Sequence, residues 1–187
     1  LVLLPILVGF LPAMLFSPIH VIFLELIMGP TCSIIYENEP GSPKELQQPT
    51  STEHKNLLSA SQLWITMLQG VMITLGCVAI GYYGAQQGFN DSTIRAQVFS
   101  TLILSNVMLT LVNRSFTQSI VKTLQIKNRL IPLIIFISLT FLVLILLVPF
   151  LNQLFEVSSL GWRDLLYPLL SALISTLWIE VWKYFRK

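Results

Sequence analysis

Apolar residues in this chain come in long runs with no alternation, and the runs have the length of membrane helices. Residues 19–36, 63–83, 96–112, 130–151 and 165–181 are each dominated by Leu, Ile, Val, Phe and small residues. A helix needs about 20 apolar residues to cross the hydrocarbon core. Runs of this length predict helices, because lipid leaves no other partner for the backbone polar groups. An earlier run, residues 1–16, reads LVLLPILVGFLPAMLF and is interrupted by Pro5, Gly9 and Pro12. It is too short to span and has no charged leader of the kind that opens a signal peptide. It reads as the far end of a longer helix, and the chain as a C-terminal fragment of a larger protein. The expected fold is all-α, a polytopic membrane helical bundle of about five full spans plus one truncated span, in a single transmembrane transport domain over residues 1–187.

The polar segments between the runs give a direction. Residues 113–129 carry Arg114, Lys122, Lys127 and Arg129 and no acid, and the tail carries Lys183, Arg186 and Lys187. Lys and Arg collect on the cytoplasmic side. That places the basic loop 113–129 and the C-terminus in the cytoplasm. Counting spans back puts the loop 37–58 on the same side. Pro40, Pro43 and Pro49 make that loop an extended linker. Trp64, Trp162, Trp178 and Trp182 fall near predicted helix ends, where amphipathic rings prefer to lie.

Composition supports the same class. The chain is 54% hydrophobic and only 11% charged, against roughly 25% charged for a soluble domain. A net charge of +2 gives no reason to expect a nucleic-acid partner. Cys32 and Cys77 lie inside apolar runs without metal-ligand spacing and read as packing residues. His20 and His54 form no nucleophile–base pair. His54 reads as solvated. His20, at the start of the second run, reads as an interfacial histidine, with a proton relay as the alternative. The chain by itself is expected to hydrolyse nothing.

One position departs from the pattern. Glu25 lies inside the run 19–36, four residues before Gly29-Pro30. An acid at membrane depth is costly unless it is paired or binds something. Pro30 has no N–H, so a regular helix would leave the Leu26 carbonyl without its donor. Gly29 lets the backbone deviate. A carboxylate beside such backbone carbonyls suits a hard cation that takes oxygen ligands. The alternative is a structural partner for a polar group on another helix. Helical spacing places Glu25, Met28, Gly29 and Cys32 on one face, expected to point into the bundle. Asn106, deep in the run 96–112, offers either a further oxygen ligand or an interhelical hydrogen bond. Gln69, Thr74, Ser171, Ser175 and Thr176 read as packing polar groups, and Glu180 with Lys183 as an interfacial ion pair.

The stretch PIHVIFLELIMGPTCSIIYENEP resembles the sixth transmembrane helix of P-type cation-transporting ATPases of the calcium-pump-like group. LSNVMLTLVNRSF is similar to their eighth helix, and the spans run in the order of the end of helix five through helix ten. The resemblance implies an unwound sixth helix at an ion site. Glu25 then stands at the first ligand position of that helix and Asn106 at the eighth-helix ligand position. Calcium pumps of this type carry Thr-Asp where this chain has Met28 and Gly29, which points to one site rather than two, for calcium or another cation. The phosphorylated Asp, with ATP and magnesium, would belong to cytoplasmic domains upstream of Leu1. The plasma membrane is the default location. A small cation channel or secondary transporter, and a non-transporting membrane scaffold, are the competing functions.

Overall fold

The computed structural model describes residues 15–29, 33, 60–113 and 130–185. The expected linker 37–58, nearly all of the basic loop 113–129 and most of the first run lie outside them, as do Pro30, Cys32 and His54. The regular elements among the described residues are all helices. Helix α1 is Pro18–Phe23 and continues into a π-helical turn at Leu24–Met28. Helix α2 is Ala60–Gln86, α3 is Asp91–Val112, α4 is Leu130–Leu147, α5 is Pro149–Leu154 and α6 is Leu166–Phe185. Leu63–Gln86, Asp91–Val112 and Leu130–Leu147 are long and apolar enough to cross a membrane. The chain is an integral membrane protein built as a helical bundle.

Local chemistry explains where the helices stop. Helix α2 runs to Gln86, three residues beyond the predicted end, and closes in a Schellman motif. The Phe89 amide donates to the Gly84 carbonyl at 3.1 Å and the Gly88 amide to Ala85 at 3.1 Å, with Gly88 at φ +70°. The predicted loop 85–95 thus contracts to the turn 87–90, and α3 starts at Asp91, whose charge favours a helix N-terminus. The run 130–151 is not one helix. Pro149 cannot donate to the Ile145 carbonyl, so α4 stops at Leu147 and Pro149 starts α5 from the extended Val148. The Asn152 side-chain amide donates to the Ile145 carbonyl in place of the missing N–H.

Helix α3 is the central post. Of its most apolar stretch 72% is buried, against 17% for α2. One side of α3 packs Ile94 and Val98 against Ile73, Cys77 and Ile80 of α2. Another packs Phe99 and Ile103 against Leu142 and Ile145 of α4, Phe155 and Ala172. Helices α2 and α6 meet where Ser171 Oγ donates to the Gly76 carbonyl at 3.0 Å.

Polar contacts tie the bundle at both ends. At one end Arg95 pairs with the Glu156 carboxylate at 2.7 Å and donates to its carbonyl at 2.9 Å. The Ser158 amide donates to the Ser92 carbonyl at 3.2 Å beside a Thr93–Ser158 hydroxyl contact of 2.9 Å. At the other end Gln69 and Asn113 exchange amide hydrogen bonds of 2.8 and 3.2 Å. There α6 continues through Phe185, four residues past its predicted end. Lys183 is consequently no part of a solvated tail. Its ammonium, buried, donates to the Val112 carbonyl at 2.7 Å and to Glu180 at 2.9 Å. The expected Glu180–Lys183 pair forms, and it also caps the C-terminus of α3.

A methyl group added at Gly84 would lie 3.0 Å from Ile94 Cγ1 and 3.3 Å from Gln97 Oε1, whereas one at Gly70 would meet nothing. Gly84→Ala is therefore predicted to destabilise the detergent-solubilised protein by about 1–3 kcal/mol, and Gly70→Ala to stabilise it by up to about 1 kcal/mol. Thermal unfolding of the two variants checks the contrast; equal effects would contradict the described α2–α3 contact.

Candidate cation site

The helix that carries Glu25 is positioned from its N-terminus. Ser17 takes the N-cap position in an extended conformation, and Pro18 follows at the first helical position. The Ser17 amide donates to His20 Nδ1 at 3.1 Å, which leaves the ring proton to Nε2. His20 is fully buried. Its ring meets Phe99 at 4.7 Å, Phe155 at 5.4 Å and Phe16 at 5.9 Å between centroids, all edge-on. The expectation of an interfacial histidine is corrected: aromatic side chains from α3 and from the turn after α5 close over it. Phe23, one turn further, joins the same cluster through Phe99, Phe141 and Phe155. These contacts fix the rotation of α1 and thereby the direction of the turn that follows.

That turn is a π-helix over Leu24–Met28, in which the Gly29 amide donates to the Leu24 carbonyl. The consequence for Glu25 is specific. In an α-helix its carbonyl would receive the Gly29 amide, which is diverted here. In π register it would receive residue 30, and Pro30 has no N–H. The Glu25 carbonyl thus loses both backbone donors, and the Leu26 carbonyl loses its α donor to the same proline. The sequence marks Gly29-Pro30 as the irregularity; the structure starts it over Glu25 itself, and π turns often occur at functional sites. The Glu25 carbonyl is a candidate that the linear pattern does not reveal, because the diverted Gly29 bond is a property of the folded turn.

Glu25 is exposed on the described bundle, and Leu26 is 69% exposed beside it. Asn106 is half-buried on α3, where its carbonyl accepts from Thr110 at 2.8 Å. No hydrogen bond among the described residues links Glu25 with Asn106, and those residues contain no cluster of three His, Cys, Asp or Glu that could hold a metal. Next to Asn106, the buried Ser105 hydroxyl has no hydrogen-bond partner, and neither amide atom of Gln97 has one. Three of the polar side chains expected to serve packing bond within their own helices: Thr74 donates to Gly70, and Ser175 and Thr176 to Ala172. The described residues thus set one carboxylate beside a carbonyl without a backbone donor and a second without its α donor, with an amide on another helix.

Comparison with known proteins gives a consistent picture. The family model described as "Cation transporting ATPase, C-terminus" matches residues 13–185. The chain is 22% identical over 169 residues to calcium-transporting ATPase 1 of Lactococcus lactis subsp. lactis, covering 90% of this chain and 19% of that protein. It is 23% identical over 174 residues to calcium-transporting ATPase 1 of Yarrowia lipolytica, covering 91% of this chain and 18% of that protein. The chain therefore spans about a fifth of the length of these relatives.

The geometry separates two roles on one short helix. Glu25→Gln is predicted to change the unfolding free energy of this chain in detergent by no more than about 0.5 kcal/mol, as for an exposed side chain. His20→Ala removes a fully buried ring and is predicted to cost about 2–5 kcal/mol. Thermal or denaturant unfolding distinguishes them; a loss at Glu25→Gln matching that at His20→Ala would make Glu25 a packing residue.

Proposed function

Since the chain belongs to the C-terminal family of cation-transporting ATPases, we propose that it is the membrane part of an ATP-driven cation pump and that Glu25 is a ligand of the transported ion. The observation that carries this reading is the π turn at Leu24–Met28, which sets an acid beside its own carbonyl without a backbone donor and the Leu26 carbonyl without its α donor. A carboxylate and several carbonyls form the oxygen shell that a hard cation takes. Met28 and Gly29 bring no oxygen from their side chains. The set of Glu25, the Glu25 and Leu26 carbonyls and Asn106 is therefore a partial shell for one ion. The names of the relatives make calcium the first cation to test.

The exposure of Glu25 has a direct meaning in this reading. An ionised carboxylate facing hydrocarbon is expensive. Upstream transmembrane segments of the same pump cover that face and complete the shell. Upstream cytoplasmic domains bind ATP and magnesium and drive the cycle. Glu25 neutralises the ion, the carbonyls replace its water, and the ordered α3 holds Asn106 on its own side. The basic segment 113–129 and the tail orient the C-terminus toward the cytoplasm, with the plasma membrane as the location.

The test uses the full-length pump in sealed vesicles. Glu25→Ala is predicted to abolish calcium-stimulated ATP hydrolysis and calcium uptake together. Asn106→Ala is predicted to raise the half-activating calcium concentration roughly tenfold, the loss of about 1.4 kcal/mol of binding. Pro30→Ala, which supplies the missing N–H, should also weaken calcium activation. Full uptake and hydrolysis by Glu25→Ala would exclude Glu25 as a ligand. Uptake that continues without ATP, driven by an ion gradient, would favour a secondary transporter.

A further inference from the structure

Helix α4 is the most apolar of the three spans, yet it buries one hydroxyl. Its covered face reads Ile131, Ile134, Ser138, Leu142 and Ile145, and Ser138 in the middle is only 3% exposed. We infer that the Ser138 hydroxyl is a further oxygen ligand of the transported cation, supplied from α4 opposite Asn106. The inference rests on the reading of the Glu25 turn as a cation site and extends that site to a third helix.

Ser138 is placed by its neighbours. On one side of it, Ile131 and Ile134 pack against Leu111 of α3. On the other, Leu142 and Ile145 pack with Phe99 and Ile103 of α3. The two helices are therefore antiparallel, and Ser138 lies at the level of the α3 residues midway between Ile103 and Leu111. Asn106 falls in that interval. It also shares the face of Phe99, because seven residues advance a helix by almost two whole turns. Phe99 looks toward α1: its ring lies 5.9 Å from that of Phe23, which lies 5.8 Å from Phe141 of α4. Three helices thus converge on one aromatic contact, and the π turn begins with the next residue of α1. Beyond those rings, toward the Leu111 end of the bundle, come the π turn on α1, Asn106 on α3 and Ser138 on α4.

The hydroxyl is also unspent. A helical Ser or Thr often satisfies itself on a carbonyl one turn back, as Thr74, Ser100, Thr101, Thr110 and Thr176 do. Ser138 makes no hydrogen bond among the described residues, and neither does the side chain of Asn106. Ser105, whose buried hydroxyl is unpartnered as well, is set apart by direction: it lies on the stripe of Ile94 and Val98 that packs against α2. Coordination gives the Ser138 oxygen a use. Two Glu25 carboxylate oxygens, the Glu25 and Leu26 carbonyls and the Asn106 amide oxygen make five, whereas calcium takes about six to eight. A neutral hydroxyl adds an oxygen without adding a second charge beside Glu25.

Calcium titration of ATP hydrolysis and uptake by the full-length pump in sealed vesicles tests the assignment. Ser138→Ala is expected to raise the half-activating calcium concentration roughly fivefold and to leave the rate at saturating calcium unchanged. Ser100→Ala, whose hydroxyl is bonded to the Ala96 carbonyl of its own helix, is the control and should leave the calcium dependence unchanged. Ser138→Cys separates ligation from packing, because it nearly keeps the side-chain size while replacing a hard oxygen by a soft sulfur. Its calcium activation should weaken as in Ser138→Ala, and its half-activating cadmium concentration should drop below that of the wild-type pump. Wild-type calcium activation in Ser138→Ala or Ser138→Cys would overturn the inference, as would an equal shift in Ser100→Ala. The cadmium shift decides the question even if Ser138→Ala fails to fold. Glu25 tells the two failures apart: with Ser138→Ala unchanged, an inactive Glu25→Ala removes Ser138 alone, and a fully active Glu25→Ala removes the cation-site reading with it.

Discussion

Every polar group in the interior of this bundle must find its partner inside the protein, because hydrocarbon supplies none. Helix α3 is where that constraint is concentrated. Its carbonyl end is met by the Lys183 ammonium from α6, and its C-cap residue, Asn113, by the Gln69 amide of α2. Its opposite end is met by the strap after α5, through Arg95–Glu156 and Ser92–Ser158. Two helices and one connecting segment are thus registered to a single post at defined heights. Interhelical hydrogen bonds in membranes are modest individually, averaging about 0.6 kcal/mol. Their effect here lies in fixing heights and rotations along surfaces that are otherwise uniformly apolar.

The turn that carries Glu25 inherits its geometry from this arrangement. Helix α1 is too short to hold its own orientation. It takes it from the aromatic cluster in which His20 and Phe23 meet Phe99 of α3 and Phe155 after α5. The strap that carries Phe155 is in turn tied to the start of α3. The same post therefore carries Asn106 directly and sets Glu25 through a ring cluster. The two proposed contributors belong to one rigid frame while presenting different degrees of exposure. Among the fully buried side-chain atoms of the described residues the exceptions to internal satisfaction are His20 Nε2, Trp178 Nε1, the Ser105 hydroxyl and both amide atoms of Gln97, the last two residues lying on the same helix as Asn106.

Prolines show how the chain handles lost backbone bonds in two ways. At Pro149 the loss is repaired: the Asn152 amide takes over the Ile145 carbonyl, and the helix simply restarts. Before Pro30 the turn widens to π register, which diverts the Gly29 amide from the Glu25 carbonyl, and Pro30 has no N–H to offer the Glu25 or the Leu26 carbonyl. The two sites have the same sequence-level signature, a proline in an apolar run, and only the neighbouring side chains separate them.

The sequence by itself determined the helical membrane class, three of the apolar spans, the singular position of Glu25 and the family likeness. These follow from run length, from the low charge content and from one misplaced acid, all of which are local properties of the chain. Helix ends were legible only in part. The Gly88 closure and the start at Asp91 extend helices beyond their apolar cores, because capping and backbone hydrogen bonds, rather than hydropathy, decide where a helix ends. The tertiary structure decided what the linear pattern could not: that His20 is a core residue, that Lys183 caps another helix, and that the π turn frees the Glu25 carbonyl. Each depends on which groups from distant parts of the chain arrive at the same place, and an apolar run carries no record of which of its faces another helix will cover.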